Sequence, residues 1–223
     1  MTKQSELVEL NQQIIVCRKC PRLVEWREEV ARVKRKAYKD DEYWGKPVPG
    51  FGDPQARILV VGLAPGAHGS NRTGRQFTGD GSGGFLFPAL HRAGFTNQPS
   101  AGSRSDGLIL KDMYITASGR CVPPQNKPTS DELNNCRMYL EREIEILNPR
   151  VIVCLGRIAF DGILKIYKMR DPAMKFGHGA LYKLENGVWL LSSYHPSQQN
   201  TLTGKLTEKM FDDVWKKARD ILK

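Results

Sequence analysis

Four short apolar runs stand out along the chain: RILVV at 57–61, MYIT at 113–116, VIVCL at 151–155 and VWLLS at 188–192. Each is continuous rather than alternating, which is the pattern of strands buried on both faces of a parallel sheet. Helical spacing fills the intervals. Leu7, Leu10 and Ile14 share one face of a helix over 5–16. Leu23, Trp26, Val30 and Val33 line the next helix, whose other face, with Arg27, Arg32, Lys34 and Arg35, reads as solvated. A short helix is expected over 85–93, closed by Gly94. Thr129 and Glu132 have the spacing of a capping box, so a helix starts there and runs to about Leu147, ahead of Pro149. Further helices follow at 158–168 and from about Thr207, where Met210, Phe211, Val214, Trp215, Ala218 and Leu222 lie on one face. Residues 182–193 read as a hairpin with Asn186-Gly187 as a two-residue turn. Between the second helix and the first strand, residues 38–54 carry Gly45, Pro47, Pro49, Gly50, Gly52 and Pro54, too many breakers for regular structure. The alternation predicts an α/β fold.

The polar segments that follow the strands are where such a sheet places its ligands. The longest, GLAPGAHGSNRTGRQFTGD at 62–80, combines five glycines with His68, Asn71, Arg72, Arg75, Thr78 and Asp80. So much glycine and charge makes a poor core but lets a backbone approach a partner closely. The second strand runs into ASGRCVPPQNKPTSDE, and the fourth into His195-Pro-Ser197. On one parallel sheet these three loops gather at one rim. The first matches neither a Walker A sequence nor GxGxxG, which weakens a nucleotide-binding reading.

Composition narrows the class. With 223 residues and no Pro/Ser-rich linker, the chain is expected to form one domain spanning 1–223. No apolar run approaches membrane-spanning length and MTKQSELVEL lacks the apolar core of a signal peptide, so a cytoplasmic protein is expected. A net charge of +10 suits a polyanionic partner, although Lys-rich soluble proteins carry such charge without touching nucleic acid. Among the five cysteines, Cys17 and Cys20 form a Cys-x2-Cys pair, and Cys121 and Cys136 approach one another if the intervening loop folds back. Such groups in a cytosolic protein are metal ligands or redox groups. Cys154, inside a strand, reads as a small buried hydrophobe.

The 62–80 segment, together with YHPSQQNTLTGKLT, PPQNKPT and the four separated cysteines, closely resembles the family 5, or B-type, uracil-DNA glycosylases across most of residues 13–210. The resemblance implies a three-layer α/β/α sandwich with a central four-stranded parallel sheet. It also implies a [4Fe-4S] cluster on Cys17, Cys20, Cys121 and Cys136, and hydrolysis of the bond joining a deaminated base to deoxyribose. Zinc on the same four sulfurs is the alternative. The implied partner is double-stranded DNA carrying uracil or another deaminated base such as hypoxanthine, with single-stranded DNA as a further substrate. The enzyme is expected to act as a monomer, associated with the nucleoid through DNA.

Roles follow from that chemistry. A duplex base must swing out to be cleaved. Phe77 is expected to stack on it and Asn126 to read its Watson-Crick edge. Asp80 is assigned to the water or the oxocarbenium-like sugar, and His195 to the base oxygen. The better-known uracil glycosylases carry their water-activating residue in a Gly-x-Asx pattern, whereas GLAPGAHG has no Asn or carboxylate, which moves that task to Asp80. Gly62, Ala64, Gly66, Ala67, His68 and Ser197 complete the expected substrate site, with Asn200 bracing the second motif, while His91 and His178 are read as structural. The competing reading is a non-catalytic iron-sulfur or zinc module that only holds nucleic acid.

Overall fold

A computed structural model describes all residues from Met1 to Lys223. In chain order the elements are α1 (Lys3–Ile15), α2 (Pro21–Val33), β1 (Phe51–Gly52), β2 (Ile58–Gly62), α3 (Ser70–Thr73), α4 (Gly81–Arg92) and β3 (Met113–Ala117). They continue with α5 (Ser130–Leu147), β4 (Val151–Leu155), α6 (Arg157–Ile166), β5 (Leu181–Lys183), β6 (Trp189–Ser193), α7 (Gln198–Leu202) and α8 (Glu208–Leu222).

The four apolar runs become the parallel centre of the sheet, in the order β3-β2-β4-β6. In register, Val60 lies opposite Ile115 on one side and Val153 on the other. These are the four central parallel strands expected, and β1 and β5 extend the sheet to six as antiparallel edges beside β3 and β6, with β5 as the first arm of the expected hairpin. With two and three residues, these edges are too short to carry a hydrophobic period.

Alternate side chains divide between two cores. Ile58, Val60, Val151, Val153 and Leu191 pack beneath α4 and α8, against Leu86, Leu90, Phe211 and Trp215. Leu59, Val61, Ile152, Cys154 and Leu190 face α1, α5 and α6, against Leu7, Ile14, Leu140, Phe160 and Ile163. Helices therefore cover both faces of the sheet, giving the α/β/α layers. Each fully buried Val or Leu contributes roughly 1.5–3 kcal/mol. Cys154 is one of these core side chains, wholly enclosed as its strand position required.

Several local expectations need correction. Helix α4 begins at Gly81, not Phe85: the GSGG turn has poor helix propensity, but the Asp80 carboxylate accepts the Gly83 N–H at 3.0 Å and caps it. The hairpin turn is longer than two residues, since Leu184 N–H still bonds Val188 O at 2.8 Å, leaving Glu185, Asn186 and Gly187 as a three-residue loop with Gly187 at φ 87°. Helix α2 is turned so that Arg27 is buried while Val33 stands 63% exposed. The Thr129 capping box forms as the spacing indicates. No helix is long and apolar enough to cross a membrane.

Candidate active site

The carboxyl ends of β2, β3 and β6 open onto one cavity of about 520 Å³. Gly62 ends β2 and Ala117 ends β3 on its wall, and His195 enters two residues after β6. Ala64, Gly66, Phe77 and Asp80 line it from the first loop, Asn126 from the second and Ser197 from the third. Eight of the residues singled out from the sequence thus share one space.

Asp80 is held by the helix it caps and by two glycines. A Cβ on Gly69 would fall 2.0 Å from Asp80 Oδ2, and one on Gly66 would fall 3.1 Å away. Glycine at 69 is therefore a steric requirement of the carboxylate's position. Burial pushes the Asp80 pKa up, and the Gly83 and Ser82 N–H groups and Arg72 only partly offset it. Arg72 is itself committed to the loop backbone, donating to His68 O at 2.7 Å and Gly79 O at 3.0 Å.

Phe77 sits at φ 53°, a left-handed conformation that a bulky residue adopts only when its surroundings enforce it. Its ring lies against the backbone of Gly62, where a Cβ would meet it at 2.7 Å. The ring stacks on His195, with ring centroids 5.8 Å apart and planes 30° off parallel. The His195 backbone is fixed by Asn200, whose amide Nδ2 donates to its carbonyl at 2.8 Å. Burial alone drives the imidazole down to about 4, so it is neutral at pH 7 and presents one N–H donor. Ser197 caps α7, accepting the Asn200 N–H.

Asn126 stands at the rim, exposed and at φ 57°. Ala67 and His68 do not line the cavity, contrary to expectation. They lie in the turn before α3, and the His68 ring is directed to the Tyr43 hydroxyl, 3.0 Å from Nδ1. Asn71, Arg75 and Thr78 are buried supports, with Arg75 gripping Asp106 through both terminal nitrogens. His91 and His178 bond backbone carbonyls, in keeping with a structural role.

Five polar residues that were not assigned by number from the sequence also line the cavity: Ser70, Gln76, Ser82, Gln198 and Gln199. Gln76 had one available signal, a lone amide beside Phe77 in the motif. The glutamines of α7 stand in the YHPSQQN motif directly after Ser197, but a five-residue helix carries no period to show which of them faces the cavity.

The predicted cysteine ligands converge at the opposite side of the second loop. Cys17, Cys20, Cys121 and Cys136 line one small cavity between α2 and α5. No three potential ligands close to the spacing of a single metal ion. Two of the sulfurs nevertheless meet a donor. Arg27 Nη1 lies 3.1 Å from Cys121 and Asn135 Nδ2 lies 3.4 Å from Cys20. Burial raises the Cys121 thiol to about 12 and also raises Cys136. Arg27 is drawn out of solvent by this sulfur contact, which explains its departure from the expected solvated face.

Comparison with known proteins agrees with the geometry. Residues 49–219 match the model of the uracil DNA glycosylase superfamily. A type-5 uracil-DNA glycosylase of Thermus thermophilus is 54% identical over 209 residues, covering 93% of this chain and 94% of that protein. One from Mycobacterium leprae is 52% identical, with 96% and 94% covered, and one from Pyrobaculum aerophilum is 45% identical, with 92% and 88% covered. On the family match and on this identity over most of both chains, the chain belongs to the uracil-DNA glycosylase superfamily and to its type-5 family.

Proposed function

We propose that this chain is a DNA glycosylase of base excision repair, a monofunctional hydrolase that everts uracil from DNA and cleaves its N-glycosidic bond. The observation that carries the reading is the convergence of Asp80, Phe77 and His195 on one cavity, with the acid and the imidazole both buried against their charged forms. Kinship with the type-5 enzymes supports the substrate. A non-catalytic binding module has no need of such a pair.

In the reaction the everted base stacks on Phe77 while the departing base gains negative charge and the sugar gains positive charge. The Asp80 carboxylate stabilises the sugar and orients the attacking water, which adds to C1′ as the C1′–N bond breaks; the proton that the water loses goes through solvent to the departing base anion, which leaves as the neutral base. The neutral His195 N–H donates to the base oxygen as charge builds there. Asn126, at the rim, hydrogen-bonds the base edge, and Ser197 approaches the flanking backbone. Hypoxanthine and other deaminated bases belong to the proposed range, and duplex DNA, with single-stranded DNA beside it, is the proposed partner of a monomeric chain with a +10 charge.

Cys17, Cys20, Cys121 and Cys136 are proposed to hold a [4Fe-4S] cluster. Four sulfurs and no oxygen or imidazole form a soft donor set, and N–H donors aimed at two of the sulfurs suit bound thiolates. Once bound, the cluster supplies a covalent tie between the amino-terminal helices and the sheet. Iron and acid-labile sulfide assayed together test it, and stoichiometric zinc without iron overturns it.

The catalytic assignment is tested by single-turnover excision on a U:G duplex followed by alkali. Asp80→Ala and His195→Ala are each expected to slow strand breakage while leaving DNA binding intact. Wild-type rates in both variants would falsify the assignment, and hypoxanthine and xanthine duplexes run in parallel define the range.

A further inference from the structure

Gln76 has no part in the catalysis described above, yet it is the most enclosed polar side chain on the cavity wall, 1% exposed. Its amide nitrogen donates to the Val48 carbonyl at 3.2 Å. A carbonyl offers no hydrogen to give, so this bond fixes which end of the amide is which. The nitrogen points to Val48 and the oxygen points the other way. The polar side-chain atoms sealed in the interior without a partner are Asn11 Oδ1, Arg27 Nε, Asn71 Oδ1, Arg120 Nε and Trp215 Nε1. Gln76 Oε1 is not among them and bonds no protein donor, so it retains access to open space. For a side chain closed on every other side, that space is the cavity.

We propose that Gln76 is a specificity-determining residue whose fixed Oε1 accepts the ring N–H of a deaminated base. This rests on the glycosylase reading above. An everted base enters with its glycosidic bond outward, toward Asp80, so the edge opposite that bond reaches the inner wall. In uracil this edge carries O4 and N3–H, and in hypoxanthine it carries O6 and N1–H. Both are the same lactam, which deamination creates. Cytosine and adenine present a bare ring nitrogen there, and two acceptors facing one another leave both buried and unpaired.

The variant Gln76→Met retains the length of the side chain and removes the acceptor. Three measurements separate base reading from a structural effect. Single-turnover excision from a U:G duplex is expected to fall about 10- to 100-fold. Binding to a duplex with non-cleavable 2′-fluoro-2′-deoxyuridine is expected to weaken by a similar factor. Binding to a duplex with a tetrahydrofuran abasic site, which has no base to read, is expected to stay within about twofold of wild type.

Excision within twofold of wild type overturns the proposal, and so does parallel weakening on the uracil and abasic duplexes. If Gln76→Met does not fold, wild-type enzyme is assayed on N3-methyl-2′-deoxyuridine opposite guanine, where the N–H is replaced. Undiminished excision there overturns the proposal, and loss of excision supports it. A wild type that leaves uracil in place sinks the glycosylase reading itself, a result distinct from either outcome for Gln76.

Discussion

Two buried polar sites lie close together in this molecule and behave oppositely. Behind β3, Arg120 and Glu143 are 1% and 0% exposed and joined by bonds of 2.6 and 3.1 Å, with the Thr116 hydroxyl adding a third to the carboxylate. Burial works against the Arg120 charge, but the Glu143 carboxylate outweighs it and holds the guanidinium protonated. At the rim, Asp80 and His195 are also taken out of water, and burial shifts each against its charged form: Arg72 and two backbone N–H groups only partly offset the shift at Asp80, and His195 has no counter-charge at all. Burial by itself therefore does not distinguish a site from a scaffold. Uncompensated burial does, because it leaves capacity to interact with a substrate.

The largest expected effect breaks the compensated pair. Arg120→Met leaves Glu143 charged and alone in the core, and is expected to cost about 3–5 kcal/mol in denaturant unfolding. The double variant Arg120→Met/Glu143→Leu is expected to recover most of that loss.

Next comes the uncompensated acid. Asp80→Asn preserves the helix cap, because Asn caps as well as Asp. It is expected to lower single-turnover excision about 10²- to 10³-fold, the scale of losing one electrostatic stabiliser. Its effect on stability should have the opposite sign. The folded Asp80 pKa is raised above 3.8, so between those two values the unfolded chain binds fewer protons and stability falls as pH rises. The Asn variant escapes this penalty and should melt no lower than wild type at pH 7. A clear drop in melting temperature would contradict the uncompensated state of the acid.

His195 sharpens the comparison through pH. Its pKa is about 4 folded against 6.5 unfolded, so the unfolded chain binds the extra proton between these values. Stability is fully present above about 6.5 and is lost as pH falls toward 4, on the order of 3 kcal/mol. Unfolding free energies of wild type and His195→Asn across this interval should diverge accordingly, with a shallower slope in the variant.

The smallest effect concerns support. Ser197→Ala removes the cap of α7, which sets Gln198 and Gln199 on the cavity wall, and is expected to cost about 1 kcal/mol. Excision should fall by less than it does in Asp80→Asn. A larger fall would show that the contact of Ser197 with the flanking backbone, and not its capping of α7, dominates its effect.

Much of this site was legible before any coordinates. The glycine-rich motif, the strand ends and the resemblance led to Asp80, Phe77, Asn126, His195 and Ser197, all of which line the cavity. His68 was misplaced because a sequence does not reveal which way a loop side chain turns, and here the Tyr43 hydroxyl takes it. Arg27 was misread for a related reason. A cation on a helix face is ordinarily solvated, and here the Cys17 carbonyl, the Glu28 carboxylate and the distant Cys121 sulfur together make burial tolerable. The start of α4 was hidden because its stability comes from a cap and from close packing of Gly83 under the Phe77 carbonyl, not from propensity.

What the sequence determined alone was whatever depends on neighbours in the chain: four strands from continuous apolar runs, the Thr129 cap, and the amphipathic face of α8. The tertiary structure alone decided what depends on partners far along the chain. It selected the antiparallel edges, the direction of each buried amide and imidazole, and the pairing of Arg120 with Glu143, 23 residues away. The reason is physical: local periodicity reports on which face is apolar, whereas the fate of a buried polar group depends on which donor or charge the fold brings within about 3 Å of it.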